Sequence, residues 1–346
     1  MQQGYSSNWH SRLKALGPGI LLATAAIGGS HIVASTQAGA LFGWQLAVLI
    51  LLVNVLKYPF FRFGVEYSLQ SGETLLEGYK KQGRGYLLSF VWLNLIAAVV
   101  NTAGVLLLTA SLLQFFMPVQ LSLTVLCLIL LAVCLLILLA GQYKLLDSVS
   151  KWVMVLLTIT TVAAAIIAFN KGPTAAADFV GPSPWQLMYL GFLVALMGWM
   201  PAPIEISAIN SLWLKAKQQH TPVNKQDGLF DFNLGYWSTT ALALVFLALG
   251  ALVQYGSDQK VELAGAAYTN QFVSMYASTI GDWSKLLVAL VAFLCMFGTT
   301  LTVLDGYART INESFQLLGW QKTERKNSYN LWLLAQAASG MAVILF

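Results

Sequence analysis

The sequence predicts an all-α, polytopic membrane protein of about nine spans, with two of the spans interrupted near mid-bilayer. Three observations carry this. Of 346 residues, 58% are hydrophobic and only 10% are charged, whereas soluble domains hold about a quarter charged residues. Apolar runs of about twenty residues, enough to cross the hydrocarbon core, recur along the whole chain. Helix-breaking residues fall inside two of those runs.

Taken in order, residues 1–15 form a polar, amphipathic segment, and the apolar stretch behind it is too long for the core of a cleavable signal. The segment is therefore expected to remain as a cytoplasmic N-terminus. Apolar runs follow at 16–42, 44–66, 86–116, 119–141, 149–169, 185–213, 229–254, 283–312 and 329–346. With the N-terminus inside, sixteen of the 19 lysines and arginines fall on inner segments, including Arg12, Lys57, Arg62, Lys144, Lys151, Lys215, Lys322, Arg325 and Lys326. Only Lys171, Lys260 and Lys285 remain outside. That asymmetry sets the orientation by the positive-inside rule. It also accounts for the formal net charge of +5 without a nucleic-acid partner. Trp9, Trp44, Trp185 and Trp283 flank spans where interfacial aromatics belong. Cys127, Cys134 and Cys295 lie within apolar runs, show no metal-ligand spacing and are expected to be packing residues.

The first span, "ATAAIGGSHIVASTQAGA", is expected to break at Gly28, Gly29 and Ser30. The sixth, "LVALMGWMPAPIEISAINSLW", carries Pro201 and Pro203 one residue apart. Each proline removes a backbone donor and clashes with the preceding turn, so continuous helix cannot run from about Met200 to Pro203. Freed carbonyls cannot face lipid, and they require a protein or wet surrounding. Interrupted helices at matching places in two halves of a membrane protein point to a transporter site between inverted repeats. Spans one and six match if the repeat has five helices. The alternative for either break is a simple packing kink.

The stretch "GPGILLATAAIGGSHIVASTQAGALFGWQL" resembles the first helix of the NRAMP (natural resistance-associated macrophage protein) family of divalent metal transporters, and "GWMPAP" resembles its sixth. Gly17-Pro18-Gly19, Gln37-Ala38-Gly39-Ala40, Phe42-Gly43 and Met200-Pro201 anchor the match. The resemblance implies a LeuT-like fold of two inverted five-helix repeats, here residues 16–169 and 185–346, the second ending short of its last helix. It also implies import of Mn²⁺, Fe²⁺ or similar ions, usually with protons, in a bacterial inner membrane. The metal is cargo, and no resident cofactor is implied. The family's Asp-Pro-Gly-Asn motif falls on Gly28, Gly29, Ser30 and His31, so its carboxylate is missing. The histidine of its Met-Pro-His motif falls on Ala202, and a second helix-six histidine falls on Ser207. Only the thioether, Met200, is retained.

The remaining residues offer a metal site of different make-up. A neutral imidazole and thioethers suit a transition metal. His31, Met197 and Met200 could converge with carbonyls freed at Gly28 and Met197, or they could be interior packing residues. Glu205 is an intramembrane carboxylate, costly unless it faces a cavity or a partner. It is expected to ligate metal, to pair with protonated His31 as a proton carrier, or to form a static ion pair with Lys57 or Arg62. Asp305 and Arg309 stand four apart on one helix face and are expected to neutralise each other. With Asp231, Asn233 and Glu66 they also make a candidate exit or proton route. Asn94, Asn101 and Thr102 suit helix-to-helix hydrogen bonds. "SGETLLEGYKKQGRG" reads as a short amphipathic inner loop, and residues 255–282 as an outer amphipathic gate.

No nucleotide-binding glycine loop, G-x-S-x-G elbow or H-E-x-x-H pair occurs, which argues against a pump or an intramembrane hydrolase. The expected function is secondary transport of a divalent metal cation by alternating access. The alternatives are transport of another solute, such as Mg²⁺, an organic cation or an amino acid, and a membrane sensor that does not transport.

Overall fold

The computed structural model describes residues 9–140, 143–219, 221, 223–257, 261–262, 265–321 and 327–346, without side chains at 9–11, 143–151, 153 and 265–266. Trp9, Lys144, Lys151, Lys260, Lys322, Arg325 and Lys326 therefore lie outside the described side chains, as do residues 1–8 of the N-terminal segment.

Fourteen α-helices follow one another among the described residues: α1 Trp9–Ala15, α2 Pro18–Ala26, α3 Thr36–Phe42, α4 Ala47–Ser71, α5 Leu75–Gln82, α6 Arg84–Leu113, α7 Leu123–Leu139, α8 Tyr143–Lys171, α9 Leu190–Trp199, α10 Ile206–Gln218, α11 Lys225–Val253, α12 Gly265–Ile280, α13 Ser284–Leu317 and α14 Ser328–Leu345. A π-helical segment, Ser30–Ser35, joins α2 to α3. Six helices are long and apolar enough to cross a bilayer, and the pair Pro18–Ala26 with Ser30–Phe42, bent by 48°, makes a seventh span. The predicted spans 119–141 and 185–213 contain shorter apolar helices, Leu123–Leu139 and Leu187–Trp199. The second of these is short because the prolines end it.

The interior is apolar as in a soluble protein, but the outer surface is apolar too. Large apolar side chains such as Phe60, Trp92, Leu93 and Leu136 face outward, while Asn54, Asn94, Thr102, Asp231 and Asp305 are buried. Lipid accepts the first group, and the second can be satisfied only by protein. Trp44, Trp185 and Trp283 are exposed, as an interfacial belt requires.

Helix α11 is the post on which both halves of the first span dock. A Cβ on Gly19 would strike the Asp231 carbonyl, and one on Gly235 would strike the Gly19 carbonyl. At the other end, Gly39 meets the Leu247 carbonyl and Gly250 the Thr36 carbonyl in the same way. Small residues at helix crossings let backbones approach closely, which is the main attraction between helices in lipid. Two such crossings fix α2 and α3 while the chain between them departs from regular helix.

The connection between α4 and α6 is held by its own chemistry. Thr74 and Glu77 form a reciprocal capping box at the start of α5. The Leu75 N–H donates to Ser211 Oγ at 3.1 Å, and Lys215 pairs with Glu77 at 2.9 Å, tying α5 to α10.

Candidate functional site

At the first break, α2 ends at Ala26, Ile27 and Gly28 lie outside any helix, and Gly29 is already helical. The interruption therefore starts earlier than predicted, and Ser30 already belongs to the π segment. Its freed carbonyls are claimed one by one. Thr299 Oγ1 donates to Thr24 O at 2.9 Å, and Cys295 Sγ donates to Ile27 O at 3.3 Å. Ser30 Oγ donates to Ala26 O, and Tyr268 of α12 donates to Ile32 O. Gly28 O accepts from the N–H groups of His31 and Ile32 at 3.3 and 3.1 Å.

His31 is fully buried. Its Nε2 lies 2.8 Å from Thr239 O on α11, and its Nδ1 lies 3.0 Å from Ala26 O and 2.8 Å from Ser30 Oγ. Both ring nitrogens are thus engaged by the protein. A neutral ring carries one N–H, so it donates either from Nε2 to Thr239 O or from Nδ1 to Ala26 O. The space beside Gly28 is taken as well, since a Cβ there would lie 2.7 Å from Thr299 Cγ2 and 2.8 Å from its Oγ1. The methyl and hydroxyl of Thr299 fill the volume a side chain at residue 28 would need.

The sixth-span break runs from Met200 to Glu205, two residues longer than predicted. Met200 is fully buried, and its Sδ accepts from Ser35 Oγ at 3.8 Å, linking the two breaks. Lys57 of α4 reaches across to the end of α9. Its Nζ donates to Met197 O and Gly198 O, both at 2.7 Å, and to Ala202 O at 3.5 Å. The Met197 carbonyl, expected as a metal ligand, is therefore held by an ammonium. Met197 itself is half-buried.

Glu205 stands at the N-cap position of α10 without a side-chain capping bond, and its carboxylate accepts from Tyr307 OH at 2.8 Å; Asn101 donates to that same phenol oxygen at 2.7 Å. Its charge also acts on Lys57 across the break without a direct ion pair. No hydrogen bond brings Glu205 to His31. The imidazole is turned toward α11, and the carboxylate toward α13.

The other candidates are placed as follows. Asp231 is buried and accepts from Gly17 N at 3.0 Å and Gly19 N at 2.6 Å, so it binds the N-terminus of α2. A carboxylate there satisfies orphan donors and the positive end of the helix dipole. Lys217 Nζ donates to Leu16 O at 2.6 Å and joins the same corner to α10. Asp305 and Arg309 meet at 2.7 Å, and Asp305 also accepts from Trp213 Nε1 at 3.1 Å and Tyr329 OH at 2.8 Å. Asn233 accepts from Tyr58 OH at 2.7 Å, and Arg62 lies 3.4 Å from Glu66. Among the described residues, no group of three or more His, Cys, Asp or Glu side chains is gathered as a metal cage.

Sequence reasoning overlooked Thr299, Cys295, Tyr307 and Thr239 as partners of the breaks. Nothing local marks them, because each acts from a distant helix. Lys57 was named only as an ion-pair partner for Glu205; it lies on the inward stripe of α4 with Ile50, Asn54, Phe61 and Gly64, at helical spacings of three and four.

Two interrupted spans joined through Ser35 and Met200, within an all-helical apolar bundle, are the arrangement that a transporter of the LeuT-like fold class builds around its site. The family model described as "Natural resistance-associated macrophage protein-like" matches residues 19–346, and the chain belongs to this Nramp family. An uncharacterized protein of Pasteurella multocida (strain Pm70) is 56% identical over 348 residues, covering 100% of this chain and 80% of that protein. A point mutant of the Eremococcus coleocola manganese transporter superposes with a TM-score of 0.71 at 12% identity, over 100% of this chain and 72% of that one. Mhp1, a nucleobase-cation-symport-1 family transporter in a closed conformation with bromovinylhydantoin bound, gives 0.65 at 13% identity, over 95% and 71%. Likeness at such identities speaks for the fold.

Proposed function

We propose that this chain is a secondary transporter of divalent metal cations, moving them inward across a bacterial inner membrane by alternating access, with its N-terminus cytoplasmic. The observation that carries the reading is the pair of breaks joined through Ser35 and Met200. Unwound backbone is tolerated at this depth only inside protein or around a passenger. Family membership supplies the class of cargo.

The donors that remain for a metal are the Glu205 carboxylate and the thioethers of Met197 and Met200. His31 joins them only if its ring leaves Thr239. Proton coupling, if the protein has it, would run through Glu205, since Asp231 and Asp305 are each tied to fixed structural partners.

A second reading is favoured by one observation. Thr299 fills the space beside Gly28, where the family resemblance would put a carboxylate, so this break offers no anion to a transition metal. A weaker-binding or larger solute such as Mg²⁺, an organic cation or an amino acid fits that finding.

Uptake into proteoliposomes separates these. Saturable entry of Mn²⁺ or Cd²⁺, enhanced by an inward proton gradient if coupling holds, is the expected result. No flux of Mn²⁺, Cd²⁺ or Mg²⁺ overturns the metal reading. Flux of an organic solute alone establishes the second, and no flux of any solute leaves a sensor.

A further inference from the structure

Three backbone carbonyls, those of Met197, Gly198 and Ala202, converge on one ammonium in the gap between α9 and Pro203. Two of them end α9 and carry the negative pole of its dipole. Glu205, fixed by Tyr307, adds an anionic charge on the far side of the gap. Rings of backbone carbonyls are how membrane proteins replace the hydration shell of a small monovalent cation. Such hard, mostly neutral oxygens suit a single positive charge better than a soft divalent ion.

We infer that the helix-six break is a carbonyl-lined site for one small monovalent cation, an alkali ion or a primary ammonium, which the chain fills with its own Lys57. Lys57 is in this sense a tethered ligand. It comes from the inward stripe of α4, with Asn54 and Phe61 on either side, and its four-carbon stem brings the charge to the gap. From there Tyr58, Arg62 and Glu66 carry a partly exposed polar line toward Ser71 at the end of α4. The inference concerns a resident charge and does not depend on which solute is transported.

The test uses the purified full chain in lipid nanodiscs, with thermal unfolding followed at constant ionic strength. Lys57→Ala is expected to melt several degrees below the parent protein. Methylammonium, K⁺ or Na⁺ should restore most of that loss with saturation, while choline, which has no N–H and is too large, should not. The parent protein should ignore all four. A folded Lys57→Ala protein with no saturable response overturns the inference, as does a parent protein that responds equally. Lys57→Ser, whose side chain is too short to reach the carbonyls, covers the case in which alanine does not fold, with the same two outcomes. Melting is read rather than uptake, so a failure here and a failure of metal transport remain distinguishable.

Discussion

The first break is closed by neutral donors: hydroxyls from Thr299, Ser30 and Tyr268 and a thiol from Cys295. The sixth is closed by charge, with one ammonium on three carbonyls and a carboxylate held nearby. Both answer the same demand, because a carbonyl freed inside a bilayer costs several kcal/mol unless something donates to it. The answers differ in what they permit. Neutral donors from α12 and α13 weld the first break to its surroundings. A single long side chain can leave the sixth, and its departure exposes both a cation site and Glu205. The charged break is therefore the better candidate for exchange with a passenger, and the neutral one for a fixed wall.

The comparison is broken most directly at Glu205. Glu205→Gln keeps an acceptor for Tyr307 but loses the charge, and initial metal uptake should fall about 100-fold, the ratio that roughly 3 kcal/mol of lost charge pairing gives. Expression and melting should be nearly unchanged, and uptake at the parent rate would move the working site elsewhere.

The next largest effect is on stability at the neutral break. His31→Ala opens a cavity and removes the bonds to Thr239 and Ala26, and should cost about 2–4 kcal/mol in denaturant unfolding. His31→Gln, which keeps a donor, should cost less. If His31→Ala leaves stability intact while abolishing uptake, the ring is a ligand rather than part of a wall.

The smallest effect sharpens the picture beside Gly28. Gly28→Ala should cost about 1–3 kcal/mol through overpacking against Thr299. Combining it with Thr299→Ala should cost less than the sum of the two single changes, because the pair shares one small volume. Strict additivity would show that Thr299 does not fill that space.

Much of this was legible in the residues. Gly28-Gly29 and Pro201-Pro203 marked both breaks, since backbone donors and steric clash are properties of the residues themselves. The four-residue spacing of Asp305 and Arg309 placed them together on one turn. Other parts were not readable. Asp231 looked like a member of a proton route, but its bonds to Gly17 and Gly19 cross more than 200 positions of chain. Glu205 could pair with His31, Lys57 or Arg62 on sequence alone, yet its nearest donor is Tyr307, which no local pattern announces.

Composition, spacing and helix breakers settle that the chain crosses a membrane and where its helices fail, because these follow from each segment's own solvation and backbone chemistry. Which donor meets which freed carbonyl is a matter of helices distant in the chain lying side by side. The close glycine crossings of α11 with α2 and α3 set those distances, and so determine that one break is closed by neutral groups and the other by a lysine.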